Sequence, residues 1–369
     1  MVRTKDNLMN KSPSMDDGGM NSSFPSKRNY GLWKWFAYAL FACLILVSVG
    51  YYYVVYHPVS LRATKKNEYI KIPRNADLTT ITGILTTKGI IDKPKIFYVL
   101  GRILSFNTDF KRGYYLFKDN LSWWDLINIL QNGYTATYKF TLFEGWNSFQ
   151  IFKTLRASPL RNKGEYEKYF HDPSLLSIAN FPNTQGLEGF LFPDTYLFLI
   201  DAKEIDILKR MVNNFKSKLP EDFKKAASRF EITPYKLLIL ASIIEKETAH
   251  DKDALLISSV FHNRLRINMR LQTDPTVIYG TKKFNSPITK SDLRKFTPYN
   301  TYKINGLPPT PIANPGLQAM IAAMKPPSTR YLYFVAKDGK SGRTSFSENL
   351  KMHNQAVRKY RQSIRNSSK

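Results

Sequence analysis

Twenty-one consecutive residues without a charge, Phe36 to Tyr56, set the first limit on what this chain can be. At a helical rise of about 1.5 Å per residue the run is about 31 Å long, the thickness of a bilayer core. Trp33 and Trp35 stand at one end and Tyr51, Tyr52, Tyr53 and Tyr56 at the other, as expected of interfacial belts. A signal peptide has an apolar core of about 7–15 residues followed by a small-residue cleavage site. This run is longer and ends in Tyr-His-Pro. A buried helix of a soluble protein would show a polar face, and none is present. The expectation is an uncleaved transmembrane helix over residues 35–56.

Charge places the rest. The formal balance is +26 over 369 residues. Residues 1–56 hold six basic and three acidic residues, which leaves +23 for residues 57–369. Such an excess points to an anionic partner: nucleic acid, a membrane surface or another polyanion. The basic residues Arg3, Lys5, Lys11, Lys27, Arg28 and Lys34 precede the run, and Arg62, Lys65, Lys66 and Lys71 follow it, so charge orients the helix only weakly. The tail 1–34, rich in Ser, Asn, Asp, Gly and Met, reads as disordered. The hydrophobic share of 43% supports a packed core after the run. The single Cys43 lies inside the run, which excludes a disulfide framework and a Cys-based zinc site. A thiol-free remainder suits an oxidising compartment.

Three weakly similar stretches come next, at 70–89, 114–133 and 138–155. Each has an alternating strand-like start, a capping residue (Thr79, Ser122, Asn147) and a short amphipathic helix. Gly89 and Gly133 fit helix ends. The first two stretches predict a small α/β module over 66–137, and the third leads into a second domain over 138–363. Residues 156–230 read as helical and polar, interrupted at 186–200 by GLEGFLFPDTYLFLI, which has no helical period. Thr233 as cap and Pro234 at the first helical position predict a helix over 232–248. Further helices are predicted over 251–268, 316–325 and 347–363, with a loop-rich stretch at 269–316. Strand 331–337, the turn signal Asp338-Gly339 and a strand to Phe346 predict a hairpin. The fold class is α+β.

Glu245 is the main candidate for chemistry. It ends an apolar helix and shares a face with Leu238, Ala241 and Ser242. A carboxyl pressed on that face is poorly solvated, so its pKa is expected to rise, the tuning a glycosidase general acid needs. The plainer reading is a half-exposed helix-end carboxylate paired with Lys or Arg. Glu247 points to nearly the opposite side and makes no pair with it. A second cluster is Arg264, Arg270, Gln272, Asp274, Thr276 and Tyr279, a mixture that binds polar ligands and also builds ordinary loops, with Asp274-Pro275 marking a turn. A third is Glu188, Asp194 and Tyr196, on a loop that lines a groove or packs on its domain. The five His are scattered, and no metal site is expected. Neither a Gly-rich phosphate loop nor a nucleic-acid recognition motif is present.

In order and spacing, EGFLFPDTY (188–196), ASIIEKET (241–248), VFHNRL (260–265), MRLQTDPTVIYG (269–280), YNTYKINGLPPTPIANPG (299–316) and YLYFVAKDG (331–339) resemble the MltG (YceG-like) family of endolytic murein transglycosylases. The resemblance covers about 140–357. It implies a membrane anchor, a LysM-like module at 66–137 and a YceG-like catalytic domain over 138–363. It makes Glu245 the catalytic residue and raises Gln272, Asp274, Thr276, Asn263 and Tyr299 as groove residues beside Glu188. It implies no cofactor, no metal and no nucleic acid. The implied partners are peptidoglycan strands, the cytoplasmic membrane and membrane-bound peptidoglycan synthases, with the tail inside and the domain outside. One departure stands out: where the family has His in a His-x-Phe-Ser pattern, this chain has Thr344.

The implied reaction cleaves MurNAc–GlcNAc bonds of nascent strands and forms 1,6-anhydro-MurNAc, which ends strand elongation. The sugar's own C6 hydroxyl attacks, so one carboxyl suffices where hydrolytic glycosidases usually need two. The alternatives are a lysozyme-type muramidase, with Asp194 or Asp274 as second carboxylate, and a non-catalytic peptidoglycan-binding scaffold. A tethered nucleic-acid binder is a more distant one.

Overall fold

The computed structural model describes residues 30–59, 68–104, 110–118, 120–248, 251–284, 286–338 and 343–367. Residues 1–29 of the predicted disordered tail, His250 and the Gly339 end of the predicted hairpin turn lie outside the described residues, whereas residues 30–34 of that tail are helical. Helix α1 spans Tyr30–Tyr56, starting ahead of the expected run. Its stretch Trp33–Tyr56 is long and apolar enough to cross a membrane. Side chains from Trp33 to Tyr52 are exposed, so no protein core accounts for their apolar character. Only the last turns touch protein: Tyr53 and Val54 pack on the first of two hydrophobic clusters.

That first cluster runs from Val59 to Leu130. It is built by β1 (Ile70–Ile72), α2 (Leu78–Thr87), α3 (Pro94–Leu104), β2 (Gly113–Tyr115) and α4 (Trp123–Asn132). β1 and β2 are antiparallel, Ile70 opposite Tyr115. Ile70 and Ile72 point inward and Lys71 outward, the alternation of a one-sided strand. Ser122 caps α4 in a reciprocal box with Asp125, and Gly133 ends it at φ 72°, where a side chain would be strained. The cap of α2 is Asp77 rather than the expected Thr79; its carboxylate accepts from Thr80 N at 2.8 Å. An anionic acceptor at the positive helix end outcompetes a hydroxyl inside the first turn. Helix α3 was not predicted, although Phe97, Leu100, Gly101 and Leu104 keep a helical spacing on the face packed against the cluster.

The second cluster runs from Phe140 to Met324. In chain order its elements are β3 (Thr137–Thr141), α5 (Ser148–Arg156), a 3₁₀ turn (Tyr166–Tyr169), α6 (Pro173–Ala179), β4 (Thr195–Leu199), α7 (Glu204–Lys218), α8 (Phe223–Ser228), α9 (Pro234–Glu247), α10 (Asp251–Arg266), α11 (Asp274–Thr281), α12 (Lys290–Arg294), α13 (Leu317–Met324), β5 (Tyr333–Ala336), β6 (Thr344–Ser347) and α14 (Leu350–Ser367). The content is mixed helix and strand. The stretch at 186–200 contains β4, which pairs antiparallel with β3 in the register Phe140 to Tyr196. The predicted turn at Asp274-Pro275 is instead the first turn of α11, because proline there forfeits no helical hydrogen bond. β5 and β6 form the expected hairpin, Phe334 opposite Phe346, and α14 packs on it.

Helix α9 is the centre. Thr233 caps it by accepting from Lys236 N, and Pro234 occupies its first turn. Tyr235 and every residue from Leu237 to Ile244 are buried, with α8, α10, α11 and α13 packed around it. Its last turn emerges, and Glu245 stands there.

Candidate active site

The β3–β4 pair brings two loops to one end. Residues 142–147 leave β3, and 186–194 enter β4; Leu142 N donates to Asp194 O at 2.9 Å and ties them. A third loop, 311–316, is buried throughout and lies against both. These three loops meet the C-terminal turn of α9.

Glu245 is half-buried at that junction. Gly316 N donates to Glu245 Oε2 at 3.0 Å. One turn earlier, Ser242 Oγ accepts from Ile312 N at 3.0 Å and donates to Ile239 O at 2.7 Å. Two side chains on one face of α9 thus hold the 311–316 loop. Gly145 lies on the other side, where an added Cβ would sit 3.6 Å from Glu245 Cγ; Lys246 Nζ donates to Gly145 O at 3.1 Å. At φ 73° Gly145 holds a backbone that other residues rarely adopt.

A second carboxyl is close. The Glu144 carboxylate occupies the space that a Cβ on Gly316 would need. Glu144 and Glu245 therefore flank one glycine. Glu144 also lines a cleft of about 430 Å³ with Thr141, Phe143, Pro193 and Asp194.

Behind the loops lies Glu188, fully buried. It accepts from Ser148 N and Oγ, from Tyr279 Oη at 2.9 Å and from Asn314 Nδ2 at 3.0 Å. Burial pushes its carboxyl up to about 7, although all four donors pull the other way. The fold therefore favours the protonated form, whereas the unfolded chain ionises near 4.5. Its contribution to stability is present below about pH 4.5 and is lost as pH rises toward about 7. The melting temperature is expected to fall across that window, and Glu188→Gln to flatten the profile.

The residues predicted from sequence fall into three places. Glu188 is tied to the Glu245 loops through Asn314, and Tyr299 joins them through its ring contact with Tyr279 at 5.0 Å. Gln272, Asp274 and Thr276 form a knot between α11 and the 300–302 turn: Thr276 Oγ1 meets Thr301 Oγ1 at 2.9 Å, and Tyr302 Oη donates to Asp274 at 2.7 Å. Thr276 is fully buried, whereas Gln272 is exposed on a left-handed backbone, φ 52°. The knot borders Glu247. Burial raises the Glu247 pKa, Asp274 adds to the rise and Arg264 opposes it. Asn263 is buried and donates to Thr329 O and Tyr331 O at 3.0 and 2.9 Å, fastening the approach to β5. Arg264 does similar work, donating to Leu332 O and Leu271 O, both at 2.6 Å. Thr344 N donates to Asp253 at 2.9 Å.

Residues 70–359 match the YceG-like family. The chain belongs to the YceG-like family. It is 34% identical over 312 residues to a Bacillus subtilis (strain 168) protein named endolytic murein transglycosylase, covering 80% of this chain and 86% of that one. A Streptococcus pneumoniae (serotype 2) protein of the same name is 28% identical over 362 residues, with 88% of this chain and 65% of that one covered. The crystal structure of a YceG-like protein from Listeria monocytogenes superposes with a TM-score of 0.54 at 32% identity, covering 79% of this chain and 99% of that one.

In this YceG-like chain, sequence reasoning passed over Glu144 and Asn314. Both had a signal. Glu144 precedes a glycine between Phe143 and Trp146, an unusual setting for an acid. Asn314 stands among Pro311, Ile312, Ala313 and Pro315, where only a buried, backbone-bonding amide suits so apolar a loop.

Proposed function

We propose that this chain is a membrane-anchored endolytic murein transglycosylase of the lytic type, with Glu245 as its acid–base group. The observation that carries the reading is the Glu245 carboxyl at the mouth of the three loops, one oxygen fixed by Gly316 N. The names of its relatives support the substrate class. Protonated Glu245 gives its proton to the oxygen bridging MurNAc and GlcNAc, and the C1–O bond breaks. The sugar's C6 hydroxyl attacks C1, and Glu245 takes the hydroxyl proton back. The products are a 1,6-anhydro-MurNAc end and a free GlcNAc hydroxyl, with no water consumed. An attacking group already on the sugar needs no separate site for a nucleophile.

Helix α1 serves as a single anchor, with the tail inside and the remaining chain facing the wall. The β1–α2–α3–β2–α4 unit serves as the LysM-like module, holding glycan while the second unit cuts new strands beside the synthases that make them.

A muramidase is the second reading. The observation that favours it is Glu144 beside Gly316, a second carboxyl placed to activate water. Sacculi digested by the full chain in detergent decide between them by mass spectrometry. The lytic reading expects chain ends lighter by one water; reducing ends overturn it in favour of hydrolysis. Binding without new ends overturns both in favour of a scaffold.

A further inference from the structure

A cavity of about 1290 Å³ opens at the start of α9, the opposite end of the helix from Glu245. Its lining comes from the turn before α9, the first turns of α9, one face of α10, and the segments 305–309 and 326–329. Three exposed cations, Arg229, Lys236 and Arg266, line it against one exposed acid, Glu231. The N-terminus of α9 adds its own partial positive charge. His262 lies in the lining too; burial lowers its pKa and Nε2 meets Ala323 O at 2.9 Å, so this part of the wall is neutral near pH 7. Two non-glycine residues in the lining, Asn183 and Glu231, have left-handed backbones at φ 62° and 56°. Strain of this kind clusters at ligand sites.

We propose that this cavity binds the acidic stem peptide of the murein strand. The inference rests on the function proposed above. Murein's glycan is neutral, because the lactyl carboxyl of MurNAc is consumed in the amide bond to the peptide. The free carboxylates of the substrate are on its peptides, so the cations here match the peptide and not the sugar. Asn183, Gln185 and Asn305 supply amides suited to a peptide backbone. Lys236 and Glu245 are about 14 Å apart along the helix, but Leu237 to Ile244 between them are buried, so the stem that fills the cavity hangs from a sugar farther along the strand than the one at Glu245.

The test uses the full chain in detergent micelles and a synthetic pentapeptide, N-acetyl-L-Ala-γ-D-Glu-L-Lys-D-Ala-D-Ala, whose acetyl group stands in for the lactyl amide and leaves it net anionic, in calorimetry. The triple variant R229E/K236E/R266E is expected to bind it at least about tenfold more weakly than the parent. The ratio of kcat/KM on peptide-bearing glycan to that on peptide-stripped glycan is expected to fall by a similar factor. If the triple variant does not fold, Lys236→Glu alone, at an exposed helix position, is expected to weaken binding about threefold. Unchanged pentapeptide binding overturns the proposal. So does a parent that binds polyphosphate or phosphatidylglycerol vesicles but not the pentapeptide, which assigns the cavity to a phosphate polymer or lipid. Calorimetry needs no turnover, so a parent that cuts no glycan would sink the enzymatic reading and leave the binding result to stand by itself.

Discussion

Glu245→Gln is expected to cut the release of new chain ends from sacculi by about a thousandfold or more, with the melting temperature almost unchanged. A positioned acid–base group contributes about 10²–10⁴ in rate. Glu245 is asked to act twice, first as donor and then as acceptor, so the loss belongs at the upper end of that range. Glutamine keeps the shape and still offers an oxygen to Gly316 N, whose bond to Glu245 Oε2 is 3.0 Å. What it lacks is the proton. The half-buried position at the end of α9 tolerates that change, because the apolar residues behind it carry the packing. Glu144→Gln is the informative companion. In the one-carboxyl mechanism it lowers the rate modestly; in the two-carboxyl mechanism it is as damaging as Glu245→Gln. Full cleavage by Glu245→Gln, measured as reducing or anhydro ends per milligram of sacculi, would move the acid–base role elsewhere.

The contrast between Glu245 and Asn314 shows which parts of the site were legible in the sequence. Helix α9 and the place of Glu245 at its end could be read because the helix announces itself: Thr233 caps, Pro234 starts, and a long apolar run ends in a carboxyl. Local rules suffice for that placement, whereas the role given to Glu245 came from the family resemblance. Ser122 and Asn147 were read as caps for the same reason, and each proved to sit in a reciprocal box. Loops obey no such period. Asn314 bonds to residues 146, 188, 189 and 191, more than 120 positions away, and nothing near it in sequence names those partners. Glu144 meets Gly316 across a similar separation. Asp274-Pro275 failed for a different reason. The same pair starts a turn or a helix, and packing farther along the segment makes the choice. Val277 is buried against the core, which commits the segment to α11. The polar atoms of Thr276 and Asn263 bond within the protein, to Thr273 and Thr301 and to Thr329, Tyr331 and Arg266, and Asn263 also lines the cavity at the start of α9. Residue type alone does not separate a groove from the frame that supports it.

Asn314→Leu is expected to destabilise the protein by about 3–5 kcal/mol and to abolish cleavage even where it remains folded. Asn314 is fully buried. Its Oδ1 accepts from Gly189 N and Leu191 N, both at 2.9 Å, and its Nδ2 donates to Trp146 O and to Glu188 Oε1, both at 3.0 Å. Leucine fills the volume and offers none of this. Two backbone N–H groups and one carboxyl lose a partner inside the protein, at about 1–3 kcal/mol for each buried group left unsatisfied. At about 2–4 °C per kcal/mol for a unit of this size, the melting temperature falls by about 6–20 °C. Activity measured well below that melt separates position from stability. Asn314 holds the 311–316 loop to the 142–147 and 186–194 loops, and Gly316, two residues on, aims its N–H at Glu245. A loop released at Asn314 withdraws that donor and shifts Gly316 against Glu144, so cleavage is lost in protein that circular dichroism still scores as native. Asn314→Asp sharpens the test. Aspartate accepts from both backbone N–H groups, yet it places a second carboxyl against Glu188. With burial holding Glu188 protonated up to about pH 7, the two share a proton below that pH and repel above it. Its melting temperature is therefore expected to drop more steeply than the parent's as pH rises toward 7, whereas that of Asn314→Leu starts low and still falls with pH, because Glu188 remains buried and has lost a donor that favoured its ionised form.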